Sequence, residues 1–467
     1  MNPEFATPFR GLNYLHCTKG KPIADESTLL GGSTSIFYPP PNDDMCHTAK
    51  QQEAKVVKMS VQIETELFIS AREGMAVYAQ NPSYADVEGI ELLVSVKDEG
   101  MLVDPKVGKV YYHDRIYRRR SNDNGTSWED GPNLTEEDPR DLTGEHRNVA
   151  MHALDPNRNV LISFHSSYDI DPNEPMFRAG NLRQRTYRMH YQLSRDGGRT
   201  WSRPSQVIDC RPGYDEIHWA PDLKYRERGA MADMLAYTWL DDGSLVFGMT
   251  VMGSSIEGVI YARARWNGEG SDLEFTFGDL ISVGPEVARG GCCEPAVTGL
   301  GGERLFNAMR CQGDEASGVY STRQCTTSSD GGMTWSAPEP LEYEDGDKVW
   351  NPASFSQFVT SSKTGKTYWF ANILPGPVHG QTPRYPLTVA EFDAKQCCIL
   401  RDTVQVIHDL PEGAPEERRY TNWGVYEERG TGDFVMTLPE QPKFMNYTEM
   451  TKAEEFTADC IRIRIKI

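Results

Sequence analysis

Ser121-Asn122-Asp123-Asn124-Gly125-Thr126-Ser127-Trp128 decides how the rest of the chain is read, because its pattern returns twice. Ser194 to Trp201 reads SRDGGRTW and Ser328 to Trp335 reads SSDGGMTW, so all three are Ser-x-Asp-x-Gly-x-(Thr/Ser)-Trp. The residue types are those of a tight hairpin turn. Asp123, Asp196 and Asp330 can accept hydrogen bonds from turn backbone N–H groups, and Gly125, Gly198 and Gly332 can supply the positive φ. Trp128, Trp201 and Trp335 then open the following strand and pack on the sheet core.

Spacing turns the motif into an architecture. Ser121 and Ser194 are 73 residues apart, and Ser194 and Ser328 are 134 apart, close to two further units. A degenerate copy is expected between them, at Ala264 to Gly270, where Trp266 and Gly268 survive. Strand-like segments flank the turns at Ile90–Val96, Val160–Phe164, Ser244–Met249, Arg304–Met309, Lys366–Asn372 and Asp433–Leu438. Long helical periodicity is absent. The fold class is therefore all-β, a β-propeller of six blades, with seven as the alternative if some are short. Residues 59–467 are expected to form one propeller domain, and the Pro/Gly-rich residues 1–58 an irregular segment, either a strap over the propeller or partly disordered.

Composition narrows the function. The chain has 467 residues, of which 38% are hydrophobic, and its 48 basic against 68 acidic residues give a net charge of −20. Counterion release favours broadly basic faces, so neither nucleic acid nor an anionic membrane surface fits as a partner. No apolar run reaches the roughly 18 residues of a spanning helix, which argues against membrane insertion. A small anionic ligand remains compatible, because a few arginines can set the local field. The ten cysteines include the vicinal pairs Cys292-Cys293 and Cys397-Cys398 but no Cys-x-x-Cys, so free thiols are expected rather than a zinc ribbon. The start, Met-Asn-Pro-Glu-Phe, carries no signal-peptide pattern. Secretion or a periplasmic location, with the signal absent from this sequence, is expected, and a cytoplasmic one is the alternative. Asn124, Asn133 and Asn446 sit in glycosylation sequons.

Chemistry is expected over the central channel, where inner strands converge. Glu294 lies near the start of one strand and Arg310 at the end of its hairpin partner, 16 residues on, so the two can meet at one rim. A second cluster, His146, Arg147, His152 and His165 with Tyr187 and His190, gathers in the second repeat. There a His or Tyr could remove a proton beside a uronate carboxylate, as in a polysaccharide lyase.

The three turns resemble the Asp boxes (BNR repeats) of the sialidase superfamily. The likeness covers about Ser60 to the C-terminus and implies a glycoside hydrolase that releases an acidic or deoxy terminal sugar. It implies that Tyr420 is the nucleophile, with Glu294 taking its proton, since a phenol near pKa 10 is otherwise inert. It also implies that Arg310 and Arg384 grip a substrate carboxylate and that the acid lies near Asp104. The first-blade Arg-Ile-Pro of that family is not found. Gln80, in Gln80-Asn81-Pro82, stands where its Arg is expected, which weakens a carboxylate grip by about 1.5–3 kcal/mol. Two readings compete with this hydrolase: a lyase or atypical glycosidase on uronate-containing glycan using His146 and His165, and a non-catalytic glycan-binding propeller. No organic cofactor is required. A structural Ca²⁺ is compatible, although no EF-hand spacing supports it, and other metal sites stay open.

Overall fold

Alternating apolar and polar residues between Gly- and Asp-bearing turns fold here into antiparallel sheets, one after another along the chain. The computed structural model describes residues 60–104, 108–132, 144–170, 187–253, 255–441 and 456–467. The irregular segment expected over 1–58 and the sequons at Asn133 and Asn446 lie outside the described residues.

Blade one comprises Met75–Tyr84, Leu92–Asp104, Gly108–Ser121 and Glu129–Asp130. Blade two comprises Gly144–Asp155, Val160–Ile170, Tyr187–Ser194 and Ser205–Gln206. Blade three comprises Gly229–Trp239, Leu245–Met252, Ile256–Trp266 and Leu273–Phe277. Blade four comprises Cys292–Gly299, Leu305–Cys311, Thr322–Ser328 and Glu339–Pro340. Blade five comprises Gln357–Thr360, Thr367–Ala371, Leu387–Asp393 and Cys398–Ile399, with Gln405–His408 added to its third strand. Blade six has Arg419–Tyr420 and Gly424–Glu427 inside, then Phe434–Gln441 and Cys460–Lys466, and its outer strand is Gln62–Ile69 from the opposite end of the chain. The propeller therefore has six blades, and it closes by pairing Gln62 with Lys466 through Ile69 with Cys460.

The Ser-x-Asp-x-Gly-x-(Thr/Ser)-Trp segments join the third and fourth strands of blades one, two and four. Asp196 shows the bonding: its carboxylate accepts from the Ser194 hydroxyl at 2.8 Å, from the Thr200 N–H at 2.9 Å and from the Thr200 hydroxyl at 2.6 Å. The Trp201 indole N–H donates to the Gly198 carbonyl at 3.1 Å. Gly125, Gly198 and Gly332 have φ of 84°, 79° and 87°, where a Cβ is disfavoured.

The core lies in layers between neighbouring blades. Phe164 of blade two meets Phe247 of blade three at 4.5 Å, both fully buried. Phe306 of blade four meets Phe392 of blade five at 4.7 Å. Burying such a ring contributes about 1.5–3 kcal/mol, so each interface is held mainly by a few large side chains. Blades one and six are sealed partly by polar contacts, with the Thr437 hydroxyl donating to the Ala79 carbonyl at 2.7 Å.

Candidate functional site

The inner strands of blades one, four and six break register at corresponding places. The shifts fall between Gln80 and Ser83 and between Cys293 and Ala296, and in blade six the pairing passes from Tyr420–Glu440 to Gly424–Thr437. Each break contains a non-glycine residue in the left-handed region: Asn81 at φ 55°, Glu294 at 42° and Asn422 at 59°. Such backbone costs on the order of 1–3 kcal/mol per residue and gathers where the chain must aim a side chain. In blade four it presents Glu294, whose N–H is held by the Thr250 hydroxyl of blade three at 2.9 Å.

Glu294 receives Arg310 Nη1 at 2.6 Å, so the pair expected from the 16-residue spacing forms. Arg323, on the next strand, stands directly opposite Arg310. It is 1% exposed, donates through Nη2 to the Ser354 carbonyl, and keeps Nε and Nη1 without a partner. Arg384 reaches the same group from blade five. Its Nη2 donates to the Ala353 carbonyl at 3.2 Å and to Gln381 Oε1 at 2.9 Å, and its Nε donates to the Gln381 carbonyl at 3.1 Å.

The charges act on one another. Burial works against ionised Glu294, but Arg310, then Arg384 and Arg323, outweigh it and hold the carboxyl below its usual range. Burial first, with Arg310 and Arg323 adding to it against Glu294, pulls Arg384 down to about 9. Burial first, with Arg310 adding to it against Glu294, pulls Arg323 down to about 10. Near neutral pH Arg323 and Arg384 stay charged. Three cations against one carboxylate leave a local excess of positive charge in a chain whose net charge is −20.

The other expected residues are placed differently. Tyr420 is fully buried, donates its hydroxyl to the Asp409 carbonyl at 3.3 Å, and packs against His408 at 4.4 Å. Burial raises its pKa, and the charges acting on it are those of Arg418, Glu440 and Asp409. No hydrogen bond joins it to Glu294; its backbone, not its phenol, meets the arginine group, through Tyr420 N–H to the Arg384 carbonyl at 3.2 Å. Gln80 is buried and donates to the Asn422 carbonyl at 2.9 Å, which pins blade one to blade six. His165 lies in the second strand of blade two, buried and stacked on His190 at 5.6 Å. It pairs with Val149, whereas His146 pairs with Tyr168, three rungs away. Asp104 ends the second strand of blade one and His146 lies near the start of blade two; their side chains are outside the described residues.

Two contributors escaped the sequence reading. Arg323 follows Arg310 by one strand return, and Gln381 links Arg384 to Gln312, its Nε2 donating to Gln312 Oε1 at 3.0 Å. The only sequence signal for Arg323 was a second arginine 13 residues after Arg310, at the start of the returning strand. Among the described residues no group of three or more His, Cys, Asp or Glu is gathered to hold a metal ion. Nor is any helix among them long and apolar enough to cross a membrane. A cleft of about 360 Å³ lies at the opposite rim, against Asp155, Arg158, Asp242 and Trp266, and shares no residue with the Glu294 group.

No protein-family model matches this sequence, and no curated protein sequence matches it either. Solved structures do. A protein of unknown function from Dyadobacter fermentans aligns over 87% of this chain and 99% of its own, at 13% identity and a TM-score of 0.54. The leech intramolecular trans-sialidase aligns over 86% of this chain and 70% of its own, at 13% identity and a TM-score of 0.51. The intramolecular trans-sialidase of Ruminococcus gnavus aligns over 86% of this chain and 96% of its own, at 11% identity and a TM-score of 0.51. At such identity the likeness is one of fold, the six-bladed propeller.

Proposed function

We propose that this protein is a carbohydrate-active hydrolase that releases a terminal anionic sugar from a glycan. The observation that carries this is the half-buried carboxylate of Glu294 among Arg310, Arg323 and Arg384 at one rim of the propeller. The fold likeness to two trans-sialidases supports the carbohydrate class without fixing the sugar. In this reading Arg310 and Arg384 take the substrate's acid group, because guanidinium forks match carboxylate geometry and stay charged when buried. Glu294, kept ionised by its neighbours, is the group that accepts a proton. Tyr420 serves as nucleophile only if its phenol leaves the Asp409 carbonyl.

That last condition favours a second reading, a glycan-binding propeller without turnover, in which the same arginines bind and nothing is cleaved. One experiment separates the two. Oligosaccharides capped with sialic acid or with uronic acid are incubated with the protein in heavy-oxygen water, and the products are weighed by mass spectrometry. A released acidic sugar carrying the label supports hydrolysis. An unlabelled product one water short is either an unsaturated sugar from elimination or an anhydro sugar from attack by the sugar's own hydroxyl. The ultraviolet absorbance of a new C=C identifies elimination, and only that restores the histidines of blade two to the chemistry. Saturable binding without product supports the second reading, and release of neutral sugars alone removes the case for the arginines.

A further inference from the structure

Five large apolar side chains are exposed among the described residues, and Tyr320 is the one aromatic ring in that set, at 43% exposure. It sits in the connection from Cys311 to Thr322, at the rim where Glu294 and Arg310 meet. One side of its ring is backed by His379 of blade five, nearly parallel at 4.5 Å and 23°. Trp350 closes its edge at 5.7 Å and 74°. His379 Nδ1 lies 2.8 Å from the Val319 carbonyl. A carbonyl only accepts, so Nδ1 is the donor of this bond.

The platform is stitched to the arginine group. Ser321, next to Tyr320, takes the Val378 carbonyl through its N–H at 2.8 Å and the Gly380 carbonyl through its hydroxyl at 2.7 Å. Gly380 precedes Gln381, whose side chain accepts from Arg384 and donates to Gln312. Ser321 and Gly380 therefore join the ring's loop to the Arg384 cradle. A rigid, backed aromatic face beside amides matches a pyranose, which has a C–H face and a rim of hydroxyls. Backing by His379 and Trp350 lowers the entropy lost when the ring is covered.

We propose that Tyr320, with His379 and Trp350 behind it, is a stacking subsite for a neutral pyranose, the sugar to which the terminal anionic residue is attached. This rests on reading the arginine cluster as the terminal-sugar site. It deepens that reading by requiring a substrate of at least two rings, with the second ring laid on Tyr320.

The test uses the full chain with lactose, cellobiose and maltose as probes, in saturation-transfer NMR, beside glucuronic and N-acetylneuraminic acids as monosaccharides. We expect a neutral disaccharide to bind with a Kd of about 1–10 mM, its saturation concentrated on the C–H groups of one ring face. Tyr320→Ala and Tyr320→Leu should weaken it about tenfold, and Tyr320→Phe should stay within about twofold. Tyr320 is exposed, so these variants are expected to fold, and melting curves establish that for each one. Absence of neutral-disaccharide binding, or equal binding by wild type and the Tyr320→Ala and Tyr320→Leu variants, overturns the subsite. Should the acidic monosaccharides fail to bind while neutral binding still depends on Tyr320, the arginine reading falls and the stacking subsite survives.

Discussion

Arg310 and Arg323 stand directly opposite one another on neighbouring strands, an arrangement that like charges oppose unless an anion lies between them. Glu294 is that anion in the free protein, and it partners only part of the cationic set. Replacing it should therefore divide binding from chemistry. Glu294→Gln is expected to bind an acidic monosaccharide at least as tightly as wild type, since one competing charge is gone. Its turnover should fall by about 100-fold or more if Glu294 is the proton acceptor. The cost appears in stability, a loss of about 1–3 kcal/mol in urea unfolding, partly recovered with sulfate as a substitute anion. Weaker acid-sugar binding in a folded Glu294→Gln variant would contradict the charge argument. At this scale the sequence disclosed the Glu294–Arg310 pair, because two strands and a short turn fix a return distance. It did not disclose that the Tyr420 phenol lies against the Asp409 carbonyl and His408. Neighbours in a strand point to opposite faces, and nothing local says which of Arg419 and Tyr420 faces the channel.

Elements were legible where their chemistry is local. Three turns written in Ser, Asp, Gly and Trp form with the donors and acceptors that those residue types allow. In blade three, where the pattern has decayed, Asn267 does the work of the aspartate: its side-chain carbonyl accepts the Ser271 N–H at 3.0 Å. Its neighbour Trp266 turns instead to Asp155 at 2.6 Å. The bulges at Asn81, Glu294 and Asn422 were not legible as a set, since a register shift belongs to a pair of strands rather than to one. The turns make a prediction of their own. Asp330 accepts from Ser328, Met333 and Thr334, so Asp330→Ala should destabilise by about 1–2 kcal/mol. Hydrogen exchange should quicken in the two strands that it joins, Thr322–Ser328 and Glu339–Pro340, before the other blades respond. Uniform acceleration around the whole ring would instead mean that the turn holds the propeller, not the blade.

The whole molecule adds what neither residue nor element contains. Gln62–Ile69 closes the ring against Cys460–Lys466, almost 400 residues away, and no local pattern announces such a partner. Folding also sets many carboxylates against donors, within turns as well as between strands, and this fixes how stability depends on pH. The hydroxyl and N–H of Ser127, with the Ser121 hydroxyl, lower Asp123 to about 2. Asp196 is lowered by Thr200 and Ser194, and Glu440 first by His408. Against burial, Glu428 is lowered by Thr431, Gly430, Arg464 and Asn124. A carboxyl whose pKa is lower folded than unfolded contributes stability that is fully present above its unfolded value, about 4, and is lost as pH falls through the folded value. Acid also relieves the repulsion within a net charge of −20, which works in the other direction. Repulsion is already relieved by about pH 5, whereas the paired carboxyls protonate only below about pH 4. The urea midpoint should therefore hold or rise slightly from neutral pH to about pH 5, then fall steeply toward about pH 2. A midpoint that keeps rising to about pH 3 would show that repulsion, not these hydrogen-bonded carboxylates, governs the closed ring.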